Sequence, residues 1–191
     1  MCLGNTPFNA ADYADPRINA LSTTSARVES AGYMRWTRVE ETMEFARRLG
    51  VQRLGLAFCA GLRQEAKVLS RILKANGFEV ASACCKTGAM PKETLGLRDE
   101  DKVRPGQFEA MCNPIAQARL LAEAETGLNV LMGLCVGHDS LFSAHSKALV
   151  TCLVAKDRVL AHNPIGALNC SYGYWHDALY TRHTAPQQAG Q

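Results

Sequence analysis

Short apolar runs alternate with amphipathic stretches along most of this chain, and several of those runs end at cysteine. Thr37-Arg38-Val39-Glu40 fits a helix-start capping box, and Val39, Met43, Phe45, Ala46 and Leu49 follow at helical spacing up to Gly50. Val51 to Phe58 reads as a buried strand running into Cys59-Ala60-Gly61. A second helix carries Leu62, Ala66, Leu69, Ile72 and Leu73 on one face, with Gly77 after its end. Phe78 to Ala83 is strand-like and meets Cys84-Cys85.

Lys86 to Ala110 is polar and broken by Gly88, Pro91, Gly96, Pro105 and Gly106, the composition of a long loop containing at most a helical turn. Asn113-Pro114 opens a helix reaching about Glu125, with Asn as cap and Pro in the first turn. Asn129 to Leu134 is another buried strand, ending at Cys135-Val136-Gly137. A short helix from His138 to Ser146 and a strand from Leu149 to Ala155 follow, with a last strand expected at Val159-Leu160. Alternation of this kind predicts an α/β fold: a three-layer, Rossmann-like, mostly parallel sheet with helices on both faces. The expected organisation is a loose lead-in over residues 1–18, one α/β domain over 19–183 and a flexible tail over 184–191.

The totals exclude several classes. A net charge of +3, with no basic tract, argues against a nucleic-acid or anionic-membrane partner. No apolar run approaches a membrane span, and Met1-Cys2-Leu3-Gly4 does not resemble a secretion signal, so a cytoplasmic protein is expected. Eight cysteines in 191 residues are many. Long amphipathic segments and a large core do not suit a small secreted disulfide scaffold, so reduced thiols are the better reading.

The positions of those thiols carry the functional argument. Cys59, Cys84 or Cys85, and Cys135 each follow a strand, while Cys112 precedes a helix. All therefore belong at the carboxyl edge of the sheet, where open α/β folds bind ligands. Helix starts favour thiolates, and Gly61 and Gly137 let backbone amides approach a bound group. Clustered thiolates need a cation between them, and a cysteine set suits zinc or an iron–sulfur cluster. Buried structural cysteine is the common alternative for any one of these residues. Cys152, within an apolar strand, is expected to be structural, and Cys2 and Cys170 are not expected to be ligands.

The likeness of Leu54–Gly61 to Val130–Gly137 suggests two copies of one strand–turn–helix unit, or simply two apolar strands before glycine turns. His138 is a candidate cofactor contact beside the Cys135 turn, with helix capping by Asp139 as the commoner reading of this pair. His162 is more often a turn residue than a ligand, and His145 a packing or surface residue. No phosphate-binding loop, dinucleotide fingerprint, serine elbow or paired-histidine zinc motif is present.

Several strings resemble the bacterial and archaeal family known as domain of unknown function 1847, often described as metal-binding. They are Leu56–Leu62, Cys84-Cys85-Lys86, Phe108–Ile115, Gly133–Asp139 and Lys156–Pro164, together with Ala31–Met34. The resemblance spans Arg27 to Pro164 and implies no established activity. Members of that family often carry an amino-terminal cysteine cluster, where this chain has only Cys2, and a further cysteine where it has Thr87-Gly88-Ala89. The set Cys59, Cys84, Cys85, Cys112 and Cys135 is intact.

The leading expectation is an iron–sulfur protein, with a [4Fe–4S] cluster on Cys59, Cys112, Cys135 and one of Cys84 or Cys85. Its role would be redox, sensing or activation of a small substrate, with a redox partner protein or small molecule as partner. A four-cysteine zinc protein is the alternative. A metal-free thiol enzyme, with Cys112 or the Cys84-Cys85 pair as nucleophile and His138 as base, and a plain scaffold complete the range.

Overall fold

The computed structural model describes residues 9–181 and divides the chain into two compact units, residues 1–52 and 53–191. In the first, a 3-10 turn at Ala10–Tyr13 precedes two helices, α1 (Pro16–Gly32) and α2 (Arg38–Arg48). Asp15 caps α1, accepting from the Arg17 amide at 2.8 Å, and Pro16 takes the first helical position. The helix thus begins inside the segment expected to be loose, because the Asp-Pro start signal outweighs weak periodicity. Thr37 and Glu40 form the expected capping box, with the Thr37 amide donating to Glu40 Oε2 at 2.7 Å. The Trp36 ring fills the place a Gly32 side chain would take, 2.4 Å from an ideal Cβ. Cys2 and the tail over 184–191 lie outside the described residues.

The second unit holds a four-stranded, all-parallel sheet in the order β2-β1-β3-β4, made of Arg53–Phe58, Glu79–Cys84, Leu128–Met132 and Leu149–Val154 for β1 to β4. Between them run α3 (Arg63–Ala75, after a 3-10 turn at Ala60–Leu62), α4 (Pro114–Glu123) and α5 (His138–His145). The chain moves from β1 outward to β2, then back past β1 to β3 and on to β4. Right-handed crossovers therefore send α3 to one face and α4 and α5 to the other. The expected α/β architecture is present, with every strand pair parallel.

Central β1 and β3 are covered on both faces and are apolar almost throughout, with Leu54, Leu56, Leu128, Val130 and Met132 buried. Phe142 of α5 is fully buried in the cluster that holds Ala57 of β1 and Leu131 of β3, worth roughly 1.5–3 kcal/mol of hydrophobic stabilisation. Asn129, the polar exception in β3, is satisfied: its Oδ1 accepts from the Thr126 hydroxyl at 2.8 Å and its Nδ2 donates to Ser146 Oγ at 2.9 Å. Gly55 makes room for it, since a Cβ there would lie 1.9 Å from Asn129 Oδ1.

Three further expectations fail, each for a local reason. Val159 and Leu160 form a turn, because Asp157 Oδ1 accepts from both of their amides, at 2.9 and 2.8 Å. Cys152 is exposed, because β4 is an edge strand. Ile72 is 38% exposed, lying at the margin of the α3 core stripe, whereas Ala66, Leu69 and Leu73 are buried. Two short helices, α6 (Ile165–Asn169) and α7 (His176–Tyr180), follow the turn and have no clear sequence signal. Among the described residues, no helix is long and apolar enough to cross a membrane.

Candidate metal centre

The strand order creates the site. Loops leaving β1 and β3 depart to opposite faces, and neighbouring parallel strands whose connections diverge leave a crevice beyond their carboxyl ends. Cys59 follows β1 and Cys135 follows β3 at that crevice. Cys85 follows β2, and its amide extends the ladder by donating to Phe58 O at 2.9 Å.

Cys112 arrives by a longer route. The loop after β2 contains two 3-10 turns, Lys92–Leu95 and Asp99–Asp101, and is pinned at its neck by a Pro91–Ala110 bridge. The Met111 amide donates to Met90 O at 2.7 Å, and the Asn113 amide to Cys85 O at 2.7 Å. These bonds return Cys112 to the sheet edge beside Cys85. Asn113 then caps α4 by accepting from the Ala116 amide at 3.0 Å, as its pairing with Pro114 predicts. Buried Gln117, one turn on, donates to Ala83 O at 2.7 Å and Phe58 O at 3.3 Å, tying α4 to the ends of β1 and β2.

Cys59, Cys85, Cys112, Leu134, Cys135 and His138 line one narrow cleft, too tight to admit a water-sized sphere. Ligand atoms of Cys112, Cys135 and His138 all lie within 4.8 Å of one another, so this trio can hold a metal ion. His138 Nδ1 is buried and has no hydrogen-bond partner, an arrangement that metal coordination relieves. Gly137 at φ +85° turns the chain so that Cys135 and His138 face the same point, and the His138 amide donates to Cys135 O at 2.9 Å. Asp139 does not cap α5; its Oδ1 accepts from the adjacent Ser140 amide.

The thiols are electrostatically unequal. Cys85 packs in the core with 2% exposure, accepts from the Ala60 amide at 3.3 Å, and hydrogen-bonds through its sulfur to Cys112 and Cys59. Those two contacts, with burial, push its thiol far above the ordinary value. Cys59 is lowered to about 4, first by the Cys85 hydrogen bond and then by the Gly61 amide and Lys156, against the opposing effect of burial. Cys112 is lowered to about 5, again first by Cys85, with Lys86 and His138 adding to it. One Cys85 proton thus serves two thiolates, and the three titrate as a unit. Arg158 Nη2 donates to Cys135 Sγ at 3.0 Å, so Lys156, Lys86 and Arg158 each stand beside a different cysteine.

Five cysteines and three other residues are expected at this edge from the sequence. Cys59, Cys85, Cys112, Cys135 and His138 share the cleft, while Cys84, facing the other side of the strand, is not among its lining residues. Gly61 turns its amide toward Cys59. No atom lies within 4 Å of a Cβ built on Gly137, so its contribution is the turn itself. His162, at φ +63°, accepts from the Asp157 amide at 3.2 Å and belongs to the turn. His145 is on the α5 surface with Nδ1 2.8 Å from Leu141 O. The two similar cysteine turns are offset: Phe58 pairs with Met132, so Cys135 sits two residues further beyond the sheet than Cys59.

The three cations carry no motif in the sequence, although Lys86 adjoins Cys85 and Lys156-Asp157-Arg158 follows an edge strand. Cys135-Val136-Gly137-His138 is itself a Cys-x-x-His spacing, the signal that raises His138 to the level of the thiols.

The profile of the family described as protein of unknown function DUF1847 matches residues 6–153. The chain belongs to that family. An uncharacterised protein of Methanocaldococcus jannaschii, MJ0455, is 45% identical over 152 residues, covering 80% of this chain and 77% of that protein. No solved structure matches the chain. The family match agrees with the likeness read from the cysteine strings, and its description assigns no activity.

Proposed function

We propose that this chain is a metal-binding protein whose centre takes one thiophilic divalent ion, best matched by zinc, on Cys112, Cys135 and His138. The observation that carries this reading is the approach of two sulfurs and an imidazole to within 4.8 Å of one another. Two sulfurs bound to one tetrahedral zinc lie about 3.8 Å apart, given bonds of about 2.3 Å. Mixed sulfur and nitrogen donors suit zinc, and three protein ligands leave a position for a fourth. Cys59, held as a thiolate beside Lys156, stands at the same cleft and is the protein group available for that position.

A second reading is favoured by one observation: four thiols, Cys59, Cys85, Cys112 and Cys135, line the one cleft. This is the ligand number of a [4Fe–4S] cluster, and the three neighbouring cations suit its negative charge. Protein purified without oxygen separates the two readings. Zinc at about one ion per chain, no acid-labile sulfide and no visible absorption support the first. Brown protein with iron and sulfide in equal amounts replaces it with the second, and protein that takes up neither metal overturns both.

A further inference from the structure

Helix α3 presents Arg63, Lys67, Arg71 and Lys74 on one exposed stripe, next to the buried stripe of Ala66, Leu69 and Leu73. The four cations line a groove of about 350 Å³ together with Ser70 and Ser82. None of the four forms an ion pair among the described residues. Each i to i+4 step separates charges by about 6 Å along the axis, and the whole stripe runs about 16 Å. Adjacent like charges repel unless an anion lies over them.

We infer that this face of α3 docks the acidic surface of a partner protein. The length and openness of the stripe suit a row of carboxylates rather than one small anion. Val68 and Ile72, further round the same helix, are 47% and 38% exposed and offer apolar contact beside the charges, which a protein surface can use and a phosphate backbone cannot. The one aromatic residue of the groove, Phe58, is half-buried, so no exposed ring is there to stack a base. Arg63 follows Cys59 by four residues, so a partner lying along α3 reaches the thiol edge of the sheet. The docking face stands independently of which metal the centre holds.

The test uses the full chain and two fluorescent probes: a decapeptide of glutamates and a single-stranded DNA decamer. Anisotropy titrations are run at low salt, where exposed charges are least screened. Lys67→Glu with Arg71→Glu should weaken peptide binding about tenfold or more, and Lys67→Gln with Arg71→Gln should weaken it less. Reversal of Arg119 and Lys147, which line a different groove, should change it less than about twofold. Melting temperature and metal content, equal in all variants, separate lost docking from lost folding. Failure of the peptide to bind, equal loss from both pairs of reversals, or tighter DNA binding through the same α3 residues overturns the inference.

Discussion

Arg158 places its Nη2 3.0 Å from the sulfur of Cys135, a cation donating to a candidate metal ligand from beyond the end of β4. Such outer partners orient a ligand and stabilise its ionised form, and their loss commonly weakens metal binding 10- to 100-fold, as an order of magnitude. Arg158→Met should therefore raise the zinc dissociation constant by about tenfold, with Arg158→Lys intermediate. Competition against a chromophoric chelator measures both. Affinity unchanged in Arg158→Met would remove this residue from the account.

Cys84 and Cys85 are neighbours in sequence with opposite fates, and substitution should show it. Cys112→Ser, Cys135→Ser and His138→Ala should each reduce bound metal from about one ion per chain to a small fraction after dialysis, because each removes a ligand. Cys84→Ser should leave the stoichiometry intact. Elemental analysis against protein concentration reads the difference, and metal loss in Cys84→Ser alone would contradict the placement of the site.

Much of the fold is legible in the sequence. Strand–helix alternation, the Thr37 and Asn113 caps and the glycine stops give the α/β order, because each is a local signal that the packing agrees with. The gathering of Cys59, Cys112 and Cys135 follows from the place of each at a strand end or helix start. What the sequence hides depends on three-dimensional neighbours. His138 is readable as a neighbour of the Cys135 turn, but that it faces Cys135 depends on the turn at Gly137, and Cys85 is separable from Cys84 only by the facing of the last strand residue. Edge position, which exposes Cys152, and the Asp157 turn, which replaces a strand at Val159, follow from strand order and side-chain bonding that periodicity does not encode. The α3 cations form no tract in the sequence, yet helical spacing brings them onto one stripe.

Acid should loosen the metal-free, reduced protein in a defined window. Cys59 and Cys112 ionise in the folded chain near 4 and 5, against an ordinary thiol value of 9.0, so the folded state holds fewer protons. Their stabilising contribution is complete above about pH 9 and is lost as pH falls toward those values. Cys85, raised instead, acts in the opposite sense: its contribution is present below pH 9 and fades above it. Thiolate ultraviolet absorbance should show two thiols titrating in the acid range, and Cys85→Ala should move both upward toward ordinary values. Thiols that all titrate near 9 would refute the shared-proton arrangement.

Gly55 should tolerate no side chain. An alanine Cβ would meet Asn129 Oδ1 at 1.9 Å, and moving Asn129 breaks its bonds to Thr126 and Ser146. Gly55→Ala should cost about 1–3 kcal/mol in urea unfolding, the usual range for overpacking a core. Adding Asn129→Ala should recover part of that cost relative to Asn129→Ala alone. Additive losses would show that the two positions are not in conflict.

The proposed site stands or falls on whether Cys112, Cys135 and His138 bind the same ion. X-ray absorption at the metal edge of anaerobically purified protein reads this directly. Zinc with sulfur neighbours at about 2.3 Å and an imidazole nitrogen at about 2.0–2.1 Å is expected, with a further sulfur replacing that nitrogen in His138→Cys, which keeps a ligand at this position. Metal–metal scattering from a cluster, or a shell that His138→Cys leaves unchanged, would contradict it.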